Sequence, residues 1–194
     1  MKVLSIIPWA DWLALVGFFA LWVGYAWFAR VRGRSRASLL VTTNRYRAYW
    51  MLQATARDPR MLDGLITQTL SHTPSFFSST SILVIGGLFA LLGTTDKATE
   101  LMSEIPFAQT TSLVVFEFKI LVLVAIFVYA FFRAAAMVGA AAETFNDGLR
   151  AYYFSFAALA WFVSPLAMVL GTLAVVAILY SREFHSEVLH LLRD

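Results

Sequence analysis

YFSFAALAWFVSPLAMVLGTLAVVAILY, residues 153–180, is an apolar run longer than the roughly 17–25 residues a transmembrane helix needs. A chain in lipid has no water to satisfy its backbone N–H and C=O groups, so such a run reads as a helix. Pro165 lies inside it, and a proline frees one helical carbonyl. The sequence therefore predicts a single fourth membrane helix over 153–180, kinked or tilted at Pro165 to fit the bilayer.

Three more runs pass the same length test: residues 8–28 (PWADWLALVGFFALWVGYAWF), 75–93 (SFFSSTSILVIGGLFALLG) and 112–132 (SLVVFEFKILVLVAIFVYAFF). The whole composition agrees. Hydrophobic residues make up 60% and charged residues 14%, against about 45–50% and about 25% in a soluble domain. Mean hydropathy is +0.72. The expectation is one all-α integral membrane domain over 1–194, a bundle of four transmembrane helices. A cytoplasmic or interfacial helical segment over 29–74 separates the first two. The chain has no cysteine, which excludes disulfides, thiolate ligands and thiol nucleophiles.

The 29–74 segment holds Arg30, Arg32, Arg34, Arg36, Arg45, Arg47, Arg57 and Arg60 against Asp58 and Asp63. The 94–111 connection holds Lys97 against Asp96, Glu100 and Glu104. The positive-inside rule puts the arginine-rich segment in the cytoplasm. With four crossings, both termini are then outside. The first run does not read as a cleaved signal, because its charge bias is reversed. The eight arginines are candidate contacts for anionic lipid headgroups or for an acidic partner. Basicity without a recognition module does not point to nucleic acid. Within the segment, a helix is expected from near Ser35 or Ser38. Asp58 and Pro59 end it and cap the next, and Pro74 marks the start of the second membrane helix.

Glu117 and Lys119 stand inside an otherwise apolar run. Residues two apart on a helix point about 200° from each other, so the two charges need separate partners. Both lie in the outer leaflet by the orientation above. Glu117 is expected to turn into the bundle, toward Arg182 or the 94–111 connection. Lys119 is expected to snorkel to the outer headgroups, with Asp11 as its possible mate. These four are the candidate intramembrane charges. Small residues recur at helix-packing spacing: Gly86, Gly87 and Ala90 on the second helix, and Ala160, Ser164, Ala167 and Gly171 on the fourth. They let backbones approach, within the protomer or between protomers.

No G-x-S-x-G, P-loop or H-E-x-x-H motif occurs, and His72, His185 and His190 lack metal-site spacing. The sequence thus offers no catalytic, cofactor-binding or metal-binding residue.

ARDPRMLDGLI, FFSSTSILVIGGLFALLG, FEFKILVLVAIFVYAFF, FNDGLRAYYFSFAALAWFVSP and LYSREFHSEVL occur in this order. Together they resemble the bacterial membrane family known as domain of unknown function 599. The resemblance implies a four-helix inner-membrane protein without an assigned activity, so it carries no catalytic residues over. It also implies a longer cytoplasmic connection than the 133–147 stretch here. The functional expectation is a non-enzymatic membrane protein, partnered by lipids and by itself or another membrane protein. The alternative is a small channel or transporter.

Overall fold

The computed structural model describes residues 7–35, 39–56, 61–106, 108–109, 111–135 and 143–185. Among the described residues there are seven helices: α1 (Trp9–Ser35), α2 (Leu39–Ala56), α3 (Met61–Leu92), α4 (Thr95–Ser103), α5 (Leu113–Ala135), α6 (Glu143–Ala160) and α7 (Pro165–Phe184). The fold is all-α, and four stretches are long and apolar enough to cross a membrane: Trp9–Arg32, His72–Leu92, Leu113–Ala135 and Pro165–Phe184. The first three coincide with the expected spans. The connection between the first two is helical, as expected. α2 exposes Tyr46, Tyr49 and Leu52, and Arg45 lies over the Tyr49 ring, 5.8 Å from its centroid.

The fourth span is where the structure departs most from the reading of the sequence. Residues 153–180 are not one helix. α6 ends at Ala160, a turn follows, and α7 begins at Pro165. Ser164 has an extended backbone (φ −165°, ψ 156°), and its side chain accepts a hydrogen bond from the Ala167 N–H (3.0 Å). This is an N-cap, with proline at the first helical position where its missing N–H costs nothing. Pro165 therefore starts a helix rather than kinking one. Pro74 differs in the opposite sense. Expected at the start of a helix, it lies inside α3, which runs unbroken from Met61. The 94–111 connection, expected as a loop, carries α4 against α5.

Contacts at the two ends of the bundle fix the helix directions. Asp11 near the start of α1 and Lys119 near the start of α5 both bond Trp161, just past the end of α6. At the opposite end, Arg30 of α1 and Arg133 of α5 both reach Asp147 near the start of α6. Arg150 of α6 bonds Glu183 at the end of α7 there. So α1, α5 and α7 run one way and α6 runs the other. α3 also runs opposite to α5, since Thr95, just past its end, meets Glu117. The described chain starts at the lysine end with α1 and leaves α7 at the arginine end. The termini themselves, expected on one side, lie outside the described residues. The direction of α7 takes Arg182 away from Glu117, because Arg182 lies at the arginine end, donating to the Tyr153 hydroxyl (2.9 Å).

α6 sits among the others. It packs along α5 and α7. Phe154 meets Phe18 and Trp22 of α1, and Tyr152 meets Phe77 of α3. Ala151, Phe154, Ser155, Ala157 and Ala158 are all buried, leaving a narrow exposed strip at Phe156 and Leu159. Lipid tails are as apolar as leucine, so close packing and hydrogen bonds hold such helices together rather than water exclusion. Glycine supplies the closeness at two crossings. A Cβ on Gly148 would lie 3.3 Å from the Ala134 backbone nitrogen of α5, and one on Gly171 would lie 3.4 Å from the Ala157 Cα of α6.

Candidate functional site

The close α5–α6 approach at Gly148 brings Asp147 to Arg133. Asp147 and Arg150, one turn apart on α6, share a face. Asp147 Oδ2 accepts from Arg30 Nη2 (2.6 Å) and from Arg133 Nη2, while Oδ1 accepts from Arg150 Nη1 (3.3 Å). Arg150 Nη2 lies 3.1 Å from both oxygens of Glu183. The Tyr25 hydroxyl donates to Glu183 Oε2 (3.0 Å), and its ring lies beneath the Arg150 guanidinium. Asp147, Arg150 and Glu183 are buried. Three guanidinium groups thus meet two carboxylates, tying α1, α5, α6 and α7 together at one level. Unpaired buried ions cost several kcal/mol each, so the network holds only with every carboxylate engaged.

At the lysine end, Lys119 is buried (3% exposed). Its Nζ donates to the Trp161 carbonyl (2.9 Å), lies 3.7 Å from Asp11 Oδ1 and sits over the indole. The Trp161 Nε1–H donates to Asp11 Oδ1 (2.6 Å). The ammonium therefore pins α1, α5 and the α6–α7 turn together. Fourteen residues separate Lys119 from Arg133 on α5, about 21 Å at 1.5 Å per residue. That is less than the ~30 Å of a hydrocarbon core. Between the two ends lies a third polar contact, where Ser81 of α3, the Tyr152 hydroxyl and the Phe77 carbonyl bond one another.

The structure brings together Asp11 and Lys119, as the sequence suggested, but inverts the roles expected of Glu117 and Lys119. Lys119 is the inward group. Glu117 is half-buried at the α3–α4 corner, with the Thr95 hydroxyl 3.5 Å away. Of the arginines, Arg30 joins the network, Arg32 is half-buried and Arg45 is exposed. Arg34 and Arg47 are placed only as positions on α1 and α2, and Arg36, Arg57 and Arg60 lie outside the described residues, as do Asp58 and Pro59. Of the small residues, Ala160 and Gly171 pack together between α6 and α7. Ser164 and Ala167 form the N-cap contact instead. Gly86, Gly87 and Ala90 are exposed, and a Cβ on either glycine would meet nothing within 4 Å.

Sequence reasoning missed Tyr25, Arg133, Asp147, Arg150 and Glu183. The signal lies in FNDGLRAYYF, an acid and a base three apart beside a glycine, but Asp147 and Arg150 precede the apolar run at 153–180. Among the described residues, no group of three His, Asp or Glu side chains is arranged to hold a metal ion.

The pattern of one protein family, described as a protein of unknown function, DUF599, matches residues 13–136 and 133–188. The chain belongs to this family. The two matched pieces meet at 133–136, at the connection where the resemblance implied a longer loop. No curated protein and no solved structure matches the chain. The family is one of bacterial membrane proteins without an assigned activity, so neither charged cluster inherits a role from it.

Proposed function

We propose that this chain is a non-enzymatic protein of the bacterial inner membrane that works within an assembly, with copies of itself or as an accessory subunit of a larger membrane complex. The observation that carries this reading is the open face of α3. Among the described residues, α3 packs along α5 alone of the spans, touches α6 through Ser81, and presents Gly86, Gly87 and Ala90 outward. Small residues facing lipid give a second helix room for close backbone contact. The interior between the charged ends supports assembly over transport. Leu123, Phe127, Phe154, Met168 and Val175 fill it, and the hydroxyls of Ser155 and Thr172 bond carbonyls of their own helices.

On this reading the arginine end faces the cytoplasm, where its basic groups meet anionic headgroups. α6 crosses the bilayer as a fifth span, about 27 Å long at 1.5 Å per residue. The start of α1 is then outside and the end of α7 inside.

The test is the mass of the protein extracted in mild detergent, compared with its Gly86→Val variant. The expected wild-type particle is either a multiple of 21.7 kDa or a defined complex with another membrane protein. Gly86→Val should reduce it to the single chain while helix content and melting stay unchanged. A single chain in both samples contradicts the reading.

A further inference from the structure

We propose that Arg30 and Arg133, held side by side by Asp147, form a binding site for the phosphate group of an anionic phospholipid. The inference rests on the placing of the arginine end at a headgroup layer, and it names the lipid chemistry that end recognises.

The charge balance of the network comes first. Arg150 is consumed, since it is buried and its two Nη atoms engage Asp147 and Glu183. Asp147 Oδ2 serves both Arg30 and Arg133, so one carboxylate oxygen stands against two guanidinium groups. Among the described residues, three guanidiniums and two carboxylates leave one positive charge over. It falls on the two outer arginines, whose side chains are 53% (Arg30) and 32% (Arg133) exposed.

Geometry then favours an oxyanion. Two guanidinium groups sharing one oxygen lie within about 6 Å of each other, twice a charge-assisted contact. A tetrahedral phosphate can bridge such a pair through two of its oxygens. Each guanidinium carries five donors, and Asp147 occupies one Nη on each. The Arg133 guanidinium carbon lies 5.9 Å from the centroid of the Tyr129 ring.

Position selects a lipid over a free anion. Arg30 and Arg133 end two of the apolar spans. One turn toward the membrane centre from each stands an exposed aromatic, Trp27 below Arg30 and Tyr129 below Arg133. Trp22 of α1 meets Tyr129 edge-on, so the two helices adjoin at this level. A phosphate on the guanidiniums would set its acyl chains over this aromatic wall. The uncompensated charge selects a headgroup that brings no ammonium of its own.

The test uses the full chain in detergent, stripped of lipid and titrated separately with phosphatidylglycerol, phosphatidylcholine and inorganic phosphate. Bound lipid is counted by native mass spectrometry, and the melting temperature is followed in parallel. The expected result is retention of phosphatidylglycerol with a rise in melting temperature, and neither effect from the other two. Arg30→Gln should weaken phosphatidylglycerol binding about tenfold or more, the worth of one charge-assisted hydrogen bond. Lys97→Gln, exposed on α4 at the lysine end, should leave binding unchanged. If Arg30→Gln does not fold, Arg30→Lys keeps the charge beside Asp147 but loses the forked donors, and should still weaken binding. Equal losses in the Arg30 and Lys97 variants would reduce the site to diffuse attraction and overturn the proposal. No loss in the Arg30 variant would overturn it as well. A melting shift from phosphate alone would make this a free-anion site, and equal retention of phosphatidylcholine would leave only apolar contact. Either result overturns it. In detergent a reversed membrane orientation would leave the binding unaltered, so that failure shows separately in labelling from outside the cell.

Discussion

Lys119 is the residue on which the corner at the lysine end of the bundle depends. Its ammonium is buried against the Trp161 carbonyl and Asp11, whereas Glu117, two positions earlier, is half-buried and near one hydroxyl. Neutralising the lysine strands the Asp11 carboxylate among apolar side chains. Breaking a buried pair in this way costs roughly 3–5 kcal/mol. Lys119→Gln should therefore lower the melting temperature in detergent far more than Glu117→Gln does. A second substitution, Asp11→Asn, should restore part of the loss in the Lys119→Gln background, because no lone charge then remains. Equal shifts for the two single variants would mean that neither group is locked inside the bundle. The pairing of Asp11 with Lys119 was legible in the sequence, since both lie near the starts of their helices. Which of two charges faces inward was not. A spacing of two fixes their divergence but not the rotation of the helix, and α5 turns its Lys119 side toward α6.

At the scale of the element, α6 decides the difference between the expected and observed folds. Four spans were legible, the fourth with its start placed too early, because faces that meet lipid must be apolar all along. α6 is enclosed by α1, α3, α5 and α7 over most of its surface, so it can carry Asp147 and Arg150 where their partners reach them. A hydropathy reading passes over such a helix for that reason. Its apolar second half was instead joined to α7 across Ser164–Pro165, although a serine followed by proline is a helix-start signal. Ser164→Ala removes the side-chain acceptor for the Ala167 N–H and should cost about 1 kcal/mol, seen as a lowered melting temperature. If Ser164→Ala melts like the wild type, the cap is not contributing. At the other end of α6, Gly148→Val inserts side-chain atoms against the α5 backbone. It should destabilise by roughly 1–3 kcal/mol, as overpacking does. Gly171 and Ala160 were legible as packing residues, and Gly148 was not, because it lies among polar neighbours.

For the whole molecule, the two ionic clusters act as clamps about 21 Å apart on the helices α1, α5, α6 and α7, with α3 packed outside on α5. This gives a packed core with one open helix face, the face on which the proposed assembly rests. It also gives the chain a direction, since the start of α1 belongs with Lys119 and the end of α7 belongs with Arg30, Arg133 and Arg150. The orientation proposed above follows from joining that direction to the positive-inside rule. Because the chain has no cysteine, single cysteines can be labelled without background. The measurement is the reaction of Glu100→Cys, Arg45→Cys and His185→Cys with a membrane-impermeant thiol reagent in intact spheroplasts. Glu100 lies on α4 at the lysine end, Arg45 on α2 and His185 just past α7, all exposed. Labelling of Glu100→Cys alone, with Arg45→Cys and His185→Cys reacting only after lysis, is the predicted result. Labelling of His185→Cys together with Glu100→Cys in intact cells would contradict the account, because the end of α7 would then lie outside and α6 could not be a crossing helix.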